Sequence, residues 1–299
     1  MKKRRSFKLQ THYWLMVVPG LLWLFFFNLV PLSGIIIAFE DYVPGLGPWR
    51  SEFNGLENFE YLFSMADAKR VIVNTIVIAC SKVVLNLVVP LLFALLLNEV
   101  KNLRYKKFIQ TAVYLPHFLS WVILASVILN IFGLDGIVNK IGGLFGAEPV
   151  IWFSESSYFR QLVIGTDVWK EFGFNAVIFL AALTGMDPNL YEAASSDGCG
   201  KFRSVFYITL PGIMPTIVLV GVLGLSNVLN AGFDQVFNLY NPMVYSTGDI
   251  LDTWVYRIGL VNLQFSLATT AGLFKSLISF VMIVLSYTAA YKFADYKVF

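Results

Sequence analysis

The hydrophobic and polar positions of this chain separate into long blocks. Charged residues cluster in short segments, and six long stretches between them are almost entirely apolar. Each apolar stretch exceeds the roughly 20 residues that an α-helix needs to cross the hydrocarbon core of a bilayer. The pattern therefore predicts an all-α, polytopic membrane protein with six transmembrane helices, at about 13–39, 71–98, 108–134, 161–186, 204–233 and 265–291.

The composition agrees with a membrane protein. Hydrophobic residues make up 57% of the 299 residues and charged residues only 14%, whereas a soluble chain carries roughly 25% charged residues. Residues 1–8 form a basic segment, and 9–299 are expected to form one transmembrane domain. The first apolar run is much longer than the roughly 7–15 apolar residues of a signal peptide, so we expect this first helix to be retained.

The positive charges give the orientation. With the N-terminus inside, cytoplasmic segments hold thirteen Lys and Arg residues, from Lys2 to Lys297, and the outer segments hold six. Because Lys and Arg are enriched in cytoplasmic connections, both termini are predicted to be cytoplasmic. The same orientation makes 187–203 the longest cytoplasmic connection, and therefore the place to look for a cytoplasmic partner.

Residues suited to metal binding or redox chemistry are scarce. Cys80 and Cys199 do not fit a disulfide framework or a thiolate metal cluster, and His12 and His117 are too few for a histidine-built site. His117 is expected to be a packed, hydrogen-bonded core residue rather than a ligand. No catalytic or metal site is predicted, and the even balance of 22 basic against 19 acidic residues argues against nucleic-acid binding.

The connection after the fourth predicted span has the pattern of a short helix followed by a bend. Asn189 is expected to cap a helix beginning at the next residue, which places Glu192 in the first turn, where the helix dipole favours a carboxylate. Ala193 and Ala194 favour a helix and have little bulk, so a partner could approach the backbone closely. Gly198 then allows a sharp bend.

This connection resembles the signature of the inner-membrane permease subunits of binding-protein-dependent ABC importers. In that signature Glu-Ala-Ala is followed by three residues and Gly, then by nine residues and Ile-x-Leu-Pro. All seven fixed positions occur in this chain, together with the usual aspartate: Glu192, Ala193, Ala194, Asp197, Gly198, Ile208, Leu210 and Pro211.

Other segments resemble the carbohydrate branch of the same family. Residues 114–120 are similar to its third span, 136–139 to an outer-loop motif and 169–189 to its fourth span. Residues 241–248 lack the Gly-Gly-Pro usual in simple-sugar permeases and are similar to permeases for complex or acidic oligosaccharides. Cys199 departs from the pattern, because alanine is common at that position.

The resemblance implies that the complete importer contains several different subunits. The loop helix would dock on a cytoplasmic ATPase, with Glu192 as the polar contact, the two alanines as the close-approach face, and Asp197 and Gly198 at the bend. The chain has no G-x-x-x-x-G-K-[ST] motif, so ATP and Mg would be bound by two separate ATPase subunits, and this chain is expected to bind no cofactor. A second, related permease and an extracytoplasmic solute-binding protein would complete the importer in the bacterial plasma (inner) membrane.

Charged residues inside the predicted spans are the candidates for the substrate path, because intramembrane charges usually face an interior cavity. Three are positive and two are negative: Lys82, Lys170, Lys275, Asp167 and Glu171. The family resemblance further implies that the fourth span holds the saccharide through Trp169, Lys170 and Asn175. A surplus of positive charge would suit a uronate-bearing sugar, whereas pairing of these charges across helices would make them structural.

Three other functions stay open on the sequence alone. The chain could be an ABC permease for a non-sugar solute, an integral-membrane enzyme or an ion-driven secondary transporter. An enzyme would need a catalytic constellation near one membrane interface, and none is visible in the sequence. A secondary transporter would show two related halves with broken helices, and it would leave the cytoplasmic signature unexplained.

Overall fold

Helices dominate the residues that the computed structural model describes, which are 3–226 and 228–294. Lys2 and Lys297, which the orientation argument counts as cytoplasmic charges, lie outside the described residues. The α-helices in chain order are α1 Lys3–Leu24, α2 Glu57–Ser64, α3 Ala66–Asn98, α4 Leu103–Tyr114, α5 Trp121–Ile131, α6 Ile137–Leu144, α7 Ser156–Thr184, α8 Pro188–Ser196, α9 Lys201–Ser204, α10 Leu210–Ser226, α11 Phe233–Leu239, α12 Tyr245–Gly248, α13 Leu251–Tyr256 and α14 Phe265–Ala294.

Shorter helical turns and one small hairpin complete the described structure. The turns are π-helical at Phe25–Leu29, Val205–Thr209 and Arg257–Val261, and 3₁₀-helical at Val30–Phe39, Leu115–Phe118, Trp152–Ser154 and Pro242–Val244. In the hairpin, β1 (Glu40–Asp41) pairs antiparallel with β2 (Glu52–Phe53), with Glu40 opposite Phe53. The expectation of an all-α protein therefore holds for nearly all described residues.

Four helical segments in the described part of the chain are long and apolar enough to cross a membrane, namely His12–Phe39, Ala66–Asn98, Lys201–Leu225 and Phe265–Thr288. Leu103–Phe118 and Trp121–Ile131 would add a fifth span if both belong to one crossing. α7 has 29 residues but carries Asp167, Lys170 and Glu171 in its middle. α7 covers nearly all of the predicted span 161–186, and because of these charges it is not among the segments apolar enough to be counted.

Two predicted spans are interrupted in the structure. The third bends by 106° between Leu103–Phe118 and Trp121–Ile131, and the hydroxyl of Ser120 caps the second half by accepting from the Ile123 N–H at 3.4 Å. The fifth is helical only to Ser226, and Gly232 has a left-handed φ of 92° before α11 begins. A uniformly apolar composition is compatible with either a straight or a broken helix, so the sequence pattern missed both breaks.

The chain divides into two compact units. In the unit formed by Met1–Ser64 and Val255–Leu273, the Thr270 hydroxyl donates to the Ala38 carbonyl at 3.1 Å and the Tyr42 N–H donates to Ser266 Oγ at 2.9 Å. The other unit holds α3 to α12, and in it α3 lies along α7. Among its described residues, one apolar core is built around Phe159 and another around Phe179, both fully buried.

α4 and α7 approach each other closely at one glycine. A Cβ atom added to Gly173 would lie 2.3 Å from the Val113 carbonyl oxygen, which belongs to the rigid backbone of α4. Only a residue without a side chain fits there, because the clash could be relieved only by moving one helix. The separation of α4 from α7 is therefore set by Gly173.

We expect Gly173→Ala to destabilise the protein by roughly 1–3 kcal/mol, since it overpacks a backbone-to-backbone contact. The matched control is Gly165→Ala in the same helix, where an added Cβ meets nothing within 4 Å. That control should be neutral or slightly stabilising, because alanine is favoured over glycine inside a helix by about 0.5–1 kcal/mol. Thermal unfolding in detergent compares the two variants, and equal unfolding temperatures would contradict the proposed contact.

Candidate functional site

The connection between α7 and α10 folds into the short helix that the sequence pattern predicts, with a different cap. Asp187, not Asn189, caps α8, and its carboxylate accepts from the Asn189 N–H at 2.9 Å. The prediction that the helix begins at Leu190 is therefore wrong by two residues. Pro188 explains the earlier start, because proline has no N–H to leave unsatisfied at the first helical position and its φ is already helical.

The signature residues form an exposed knob on α8. Glu192 and Ala193 are exposed and Ala194 is half-buried. Asp197 is the C-terminal cap, and Gly198 follows in the left-handed region with φ of 77°. The chain then reverses into α9 and α10, so the structure brings the five predicted coupling residues together on one projecting loop.

Two of the five intramembrane charges meet between α3 and α7. Lys82 Nζ lies 3.1 Å from Asp167 Oδ1, and both side chains are largely buried. The same ammonium group donates to the Ala231 carbonyl at 2.8 Å and to Gln235 Oε1. Asn86 donates to the other carboxylate oxygen of Asp167 at 2.9 Å. Lys82 therefore has three acceptors and holds the broken segment before α11 against two long helices.

Lys170 and Glu171 belong to a second cluster. Lys170 Nζ lies 2.8 Å from Glu171 Oε1 and donates to the His117 carbonyl at 3.0 Å. His117 Nδ1 is 2.7 Å from Glu171 Oε2, and its ring stacks on Phe174 at 3.9 Å. His117 is therefore packed and hydrogen-bonded, as expected. The three charges of α7 do not act as one face, because Asp167 pairs with α3 while Lys170 and Glu171 support the bend in the third predicted span.

Lys275 pairs with a carboxylate that the sequence pattern assigned to an outer loop. Its Nζ lies 2.5 Å from Asp252 Oδ1, and both side chains are about one-fifth exposed. Each of the three lysines predicted to lie within spans therefore has its own carboxylate. The surplus of positive charge inferred from the sequence is removed by Asp252.

A cavity of about 320 Å³ borders the Lys82 cluster. Its polar wall includes Lys82, Asn86, Asp167, Asn175 and Asn230, and its remaining wall is aliphatic. The buried Oδ1 atom of Asn86 has no hydrogen-bond partner among the described residues. Buried acceptors are normally satisfied, so this amide oxygen is an exception in the wall of the cavity.

Trp169 lies apart from that cavity. It is 48% exposed and lines a separate, largely apolar cavity of about 320 Å³ with Gln161 and Thr166. The predicted substrate-path residues are therefore distributed over four places. Lys82, Asp167 and Asn175 line the first cavity, Trp169 lines the second, and Lys170 with Glu171 and Lys275 form separate ion pairs.

Sequence reasoning missed three polar residues at these clusters. Gln235 is fully buried and links Lys82 to α7, where its amide donates to Val163 O at 2.7 Å and to Thr166 Oγ1 at 2.8 Å. Asn86 could have been found from its spacing, because it lies one helical turn after Lys82 and shares its face. Nothing in the sequence marked Asp252 as the partner of Lys275, because this pairing depends on tertiary structure.

The chain is similar over nearly its whole length to known transport proteins. It is 40% identical to the protein LplB of Bacillus subtilis over 90% of this chain and 85% of that protein. It is 39% identical to the polygalacturonan/rhamnogalacturonan transport system permease protein YteP of Bacillus subtilis, over 98% of this chain and 92% of that protein. The crystal structure of a bacterial alginate ABC transporter, in complex with an alginate pentasaccharide-bound periplasmic protein, contains a chain with a TM-score of 0.90, 31% identity and full coverage of both chains.

A family model gives the same assignment independently of individual relatives. Residues 86–294 match the binding-protein-dependent transport system inner membrane component. This range contains the signature loop, Asp167 and the other partners of Lys82, and the whole of the Trp169 cavity. It also contains the cavity beside Lys82, except for its first three residues on α3. The chain therefore belongs to the family of inner membrane components of binding-protein-dependent transport systems, which are transport permeases and not enzymes.

Proposed function

We propose that this chain is the permease subunit of an ATP-driven importer for a complex, acidic oligosaccharide. The observation that carries the proposal is the full-length similarity to a permease of the alginate transporter, a system that imports an acidic polysaccharide. The similarity to a polygalacturonan/rhamnogalacturonan permease points to the same chemical class. Both kinds of polymer contain uronic acids, so a uronate-bearing oligosaccharide is the substrate class that they share.

The proposed topology has six spans and both termini in the cytoplasm. α7, the fourth predicted span in chain order, would bring the number of spans to six. Its 29 residues rise about 44 Å at 1.5 Å per residue, more than the roughly 30 Å hydrocarbon core. Its central charges are tolerable there because each has a partner within the protein. The excess of Lys and Arg in the alternate connections supports cytoplasmic termini.

α8 is proposed to be the coupling helix. Its exposed Glu192 and Ala193 would enter a cleft on a cytoplasmic ATPase, and two such ATPase subunits would bind ATP and Mg. A second, related permease would pair with this chain, and an extracytoplasmic solute-binding protein would deliver the sugar. A short rigid helix suits this role because force applied at its tip can shift a two-state packing of the spans behind it.

The cavity beside Lys82 is proposed to be part of the substrate path. Its amides, Asn86, Asn175 and Asn230, offer donors and acceptors that match sugar hydroxyls. Trp169 would add an apolar ring for stacking from the neighbouring cavity. Because Lys82, Lys170 and Lys275 already have carboxylate partners, we propose that they hold the helices together and contribute to uronate selectivity only when a substrate carboxylate competes for them.

Substrate uptake tests this proposal. The complete importer, expressed with its neighbouring genes and reconstituted in liposomes, should accumulate a galacturonate trisaccharide in an ATP-dependent manner, at least tenfold faster than maltotriose. Asn175→Ala should lower uptake several-fold, whereas Asn130→Ala, on the exposed side of α5, should not. A preference for the neutral sugar would refute the acidic substrate class, and uptake of neither sugar would refute the carbohydrate assignment.

A further inference from the structure

The inner face of α8 rests on the membrane helices over a small area. Leu190, Glu192 and Ala193 are exposed on the cytoplasmic side. On the opposite side a cavity of about 240 Å³ separates part of the loop from the end of α3, from α9 and from the turn Val205–Thr209, with Tyr191 and Cys199 in its wall. Besides its chain connections to α7 and α9, α8 is therefore linked to the long helices by side-chain contacts at the edge of this cavity.

Tyr191 forms one of these contacts. Its hydroxyl oxygen lies 3.0 Å from Thr209 Oγ1, and Thr209 is only 4% exposed. The same hydroxyl donates to Met186 Sδ at 3.3 Å, and a Cβ added to Gly212 would lie 2.5 Å from the Met186 methyl group. One phenol thus connects the middle of α8 to both the start of the loop and the beginning of the fifth predicted span.

Thr209 is the last residue of the π-helical turn Val205–Thr209. A π turn is wider than an α turn and is usually found as an isolated irregularity at functional positions. The helix on its C-terminal side, α10, runs for 17 residues to Ser226 and contains Pro215. Tyr191 therefore contacts the chain at the junction between an irregular turn and a longer α-helix.

A second link between the loop and the spans is an ion pair that is exposed to solvent and therefore weak. Lys201 Nζ lies 2.7 Å from Glu99 Oε2, but the two side chains are 80% and 55% exposed. Ion pairs of this kind contribute about 0–1 kcal/mol because water and salt screen them. The half-buried Tyr191 contact is the stronger connection.

We propose that Tyr191 is a positioning residue that transmits the displacement of α8 to the fifth span through Thr209. The inference rests on the proposed role of α8 as the coupling helix and adds to it the residue through which the motion passes. Removing the hydroxyl should leave docking of the ATPase intact, because that surface lies on the exposed side of α8. It should weaken the link between ATP binding and rearrangement of the spans.

A cysteine reporter in the cavity beside Lys82 measures this link without a substrate. Ile178 lines that cavity, so Ile178→Cys is introduced into the full importer together with Cys80→Ala and Cys199→Ala. The rate of labelling by a membrane-impermeant maleimide is then compared with and without ATP and vanadate. Tyr191→Phe should reduce the ATP-induced change in this rate about two- to tenfold, which corresponds to the loss of one hydrogen bond.

The controls separate transmission from stability and from docking. Tyr207→Phe removes the hydroxyl of a neighbouring, 78% exposed tyrosine and should behave like the parent protein. Thr209→Val should reduce the ATP-induced change in labelling rate as Tyr191→Phe does, and the double variant should reduce it no further than either single variant. Thr209→Ser keeps the hydroxyl and should retain the parent's change in labelling rate. Thermal unfolding of Tyr191→Phe should match that of Tyr207→Phe.

Each contrary result has a distinct meaning. An undiminished ATP response in Tyr191→Phe would overturn the proposal while leaving the coupling role of α8 in place. Loss of the ATPase from Tyr191→Phe alone would also overturn it, because Tyr191 would then belong to the docking surface. If no ATPase co-purifies with the parent protein, the proposed function is refuted. The proposed role of Tyr191 in transmission is then refuted as well.

Discussion

Lys82→Met is expected to destabilise the protein by roughly 3–5 kcal/mol, the range found when one partner of a buried ion pair is removed. The variant leaves the Asp167 carboxylate without its cation and takes a donor from both the Ala231 carbonyl and Gln235. The attachment of the segment before α11 to α3 is lost at the same time. The loss is measurable as a large fall in the unfolding temperature in detergent.

Two further variants decide whether the buried charge is the cause. Lys201→Met breaks the exposed pair with Glu99 and should cost less than about 1 kcal/mol. Lys82→Met combined with Asp167→Asn removes both charges and should recover a substantial part of the loss, because no unpaired carboxylate remains. If the exposed and buried lysine variants unfold at the same temperature, the cluster between α3 and α7 does not stabilise the fold as described.

Glu192→Lys is expected to abolish co-purification of the ATPase. The side chain is exposed near the middle of α8, so its replacement should leave the fold of the permease unchanged. Reversing a charge at a contact that becomes buried on docking costs about 2–5 kcal/mol, which corresponds to a fall in recovered ATPase of roughly tenfold or more. The measurement is the ATPase-to-permease ratio after purification of the complete importer in mild detergent.

The matched control for this variant is Glu148→Lys, the same substitution at an exposed residue of the predicted outer segment. It should retain the ATPase at the parent ratio and should also retain the second permease. Equal recovery of ATPase with both variants would mean that α8 is not the docking element. Loss of the second permease together with the ATPase in Glu192→Lys would indicate misassembly instead of a lost contact.

The sequence pattern predicted the positions of the long helices well, because hydrophobic length is the dominant constraint on a chain in a bilayer. α3, α7 and α14 begin and end within about six residues of the predicted spans. The bend before Ser120 and the unwound segment before Gly232 were not predicted, since hydropathy does not report the tertiary contacts that hold them. Glu171 and Lys170 of α7 bind His117 at the bend, and Lys82 binds the Ala231 carbonyl of the unwound segment.

In the candidate site, too, local structure could be predicted from the sequence and tertiary contacts could not. The coupling loop could be predicted almost residue by residue, because it is a local structure whose cap, turn and bend are encoded within a short segment. The intramembrane charges could be identified but not paired. Asp167 meets a lysine 85 positions earlier in the chain, and Lys275 meets Asp252 in a segment that hydropathy assigns to the outer loop.

The sharp bend between α4 and α5 has a consequence for how the chain enters the bilayer. Leu103–Phe118 and Trp121–Ile131 rise only about 24 Å and 17 Å at 1.5 Å per residue, so neither half alone spans the roughly 30 Å core. The groups that support the bend, Glu171 and Gly173, lie on α7 and leave the ribosome about fifty residues later. The bend can therefore gain these contacts from α7 only after α7 has been synthesised, whereas the Ser120 cap is available within the segment itself.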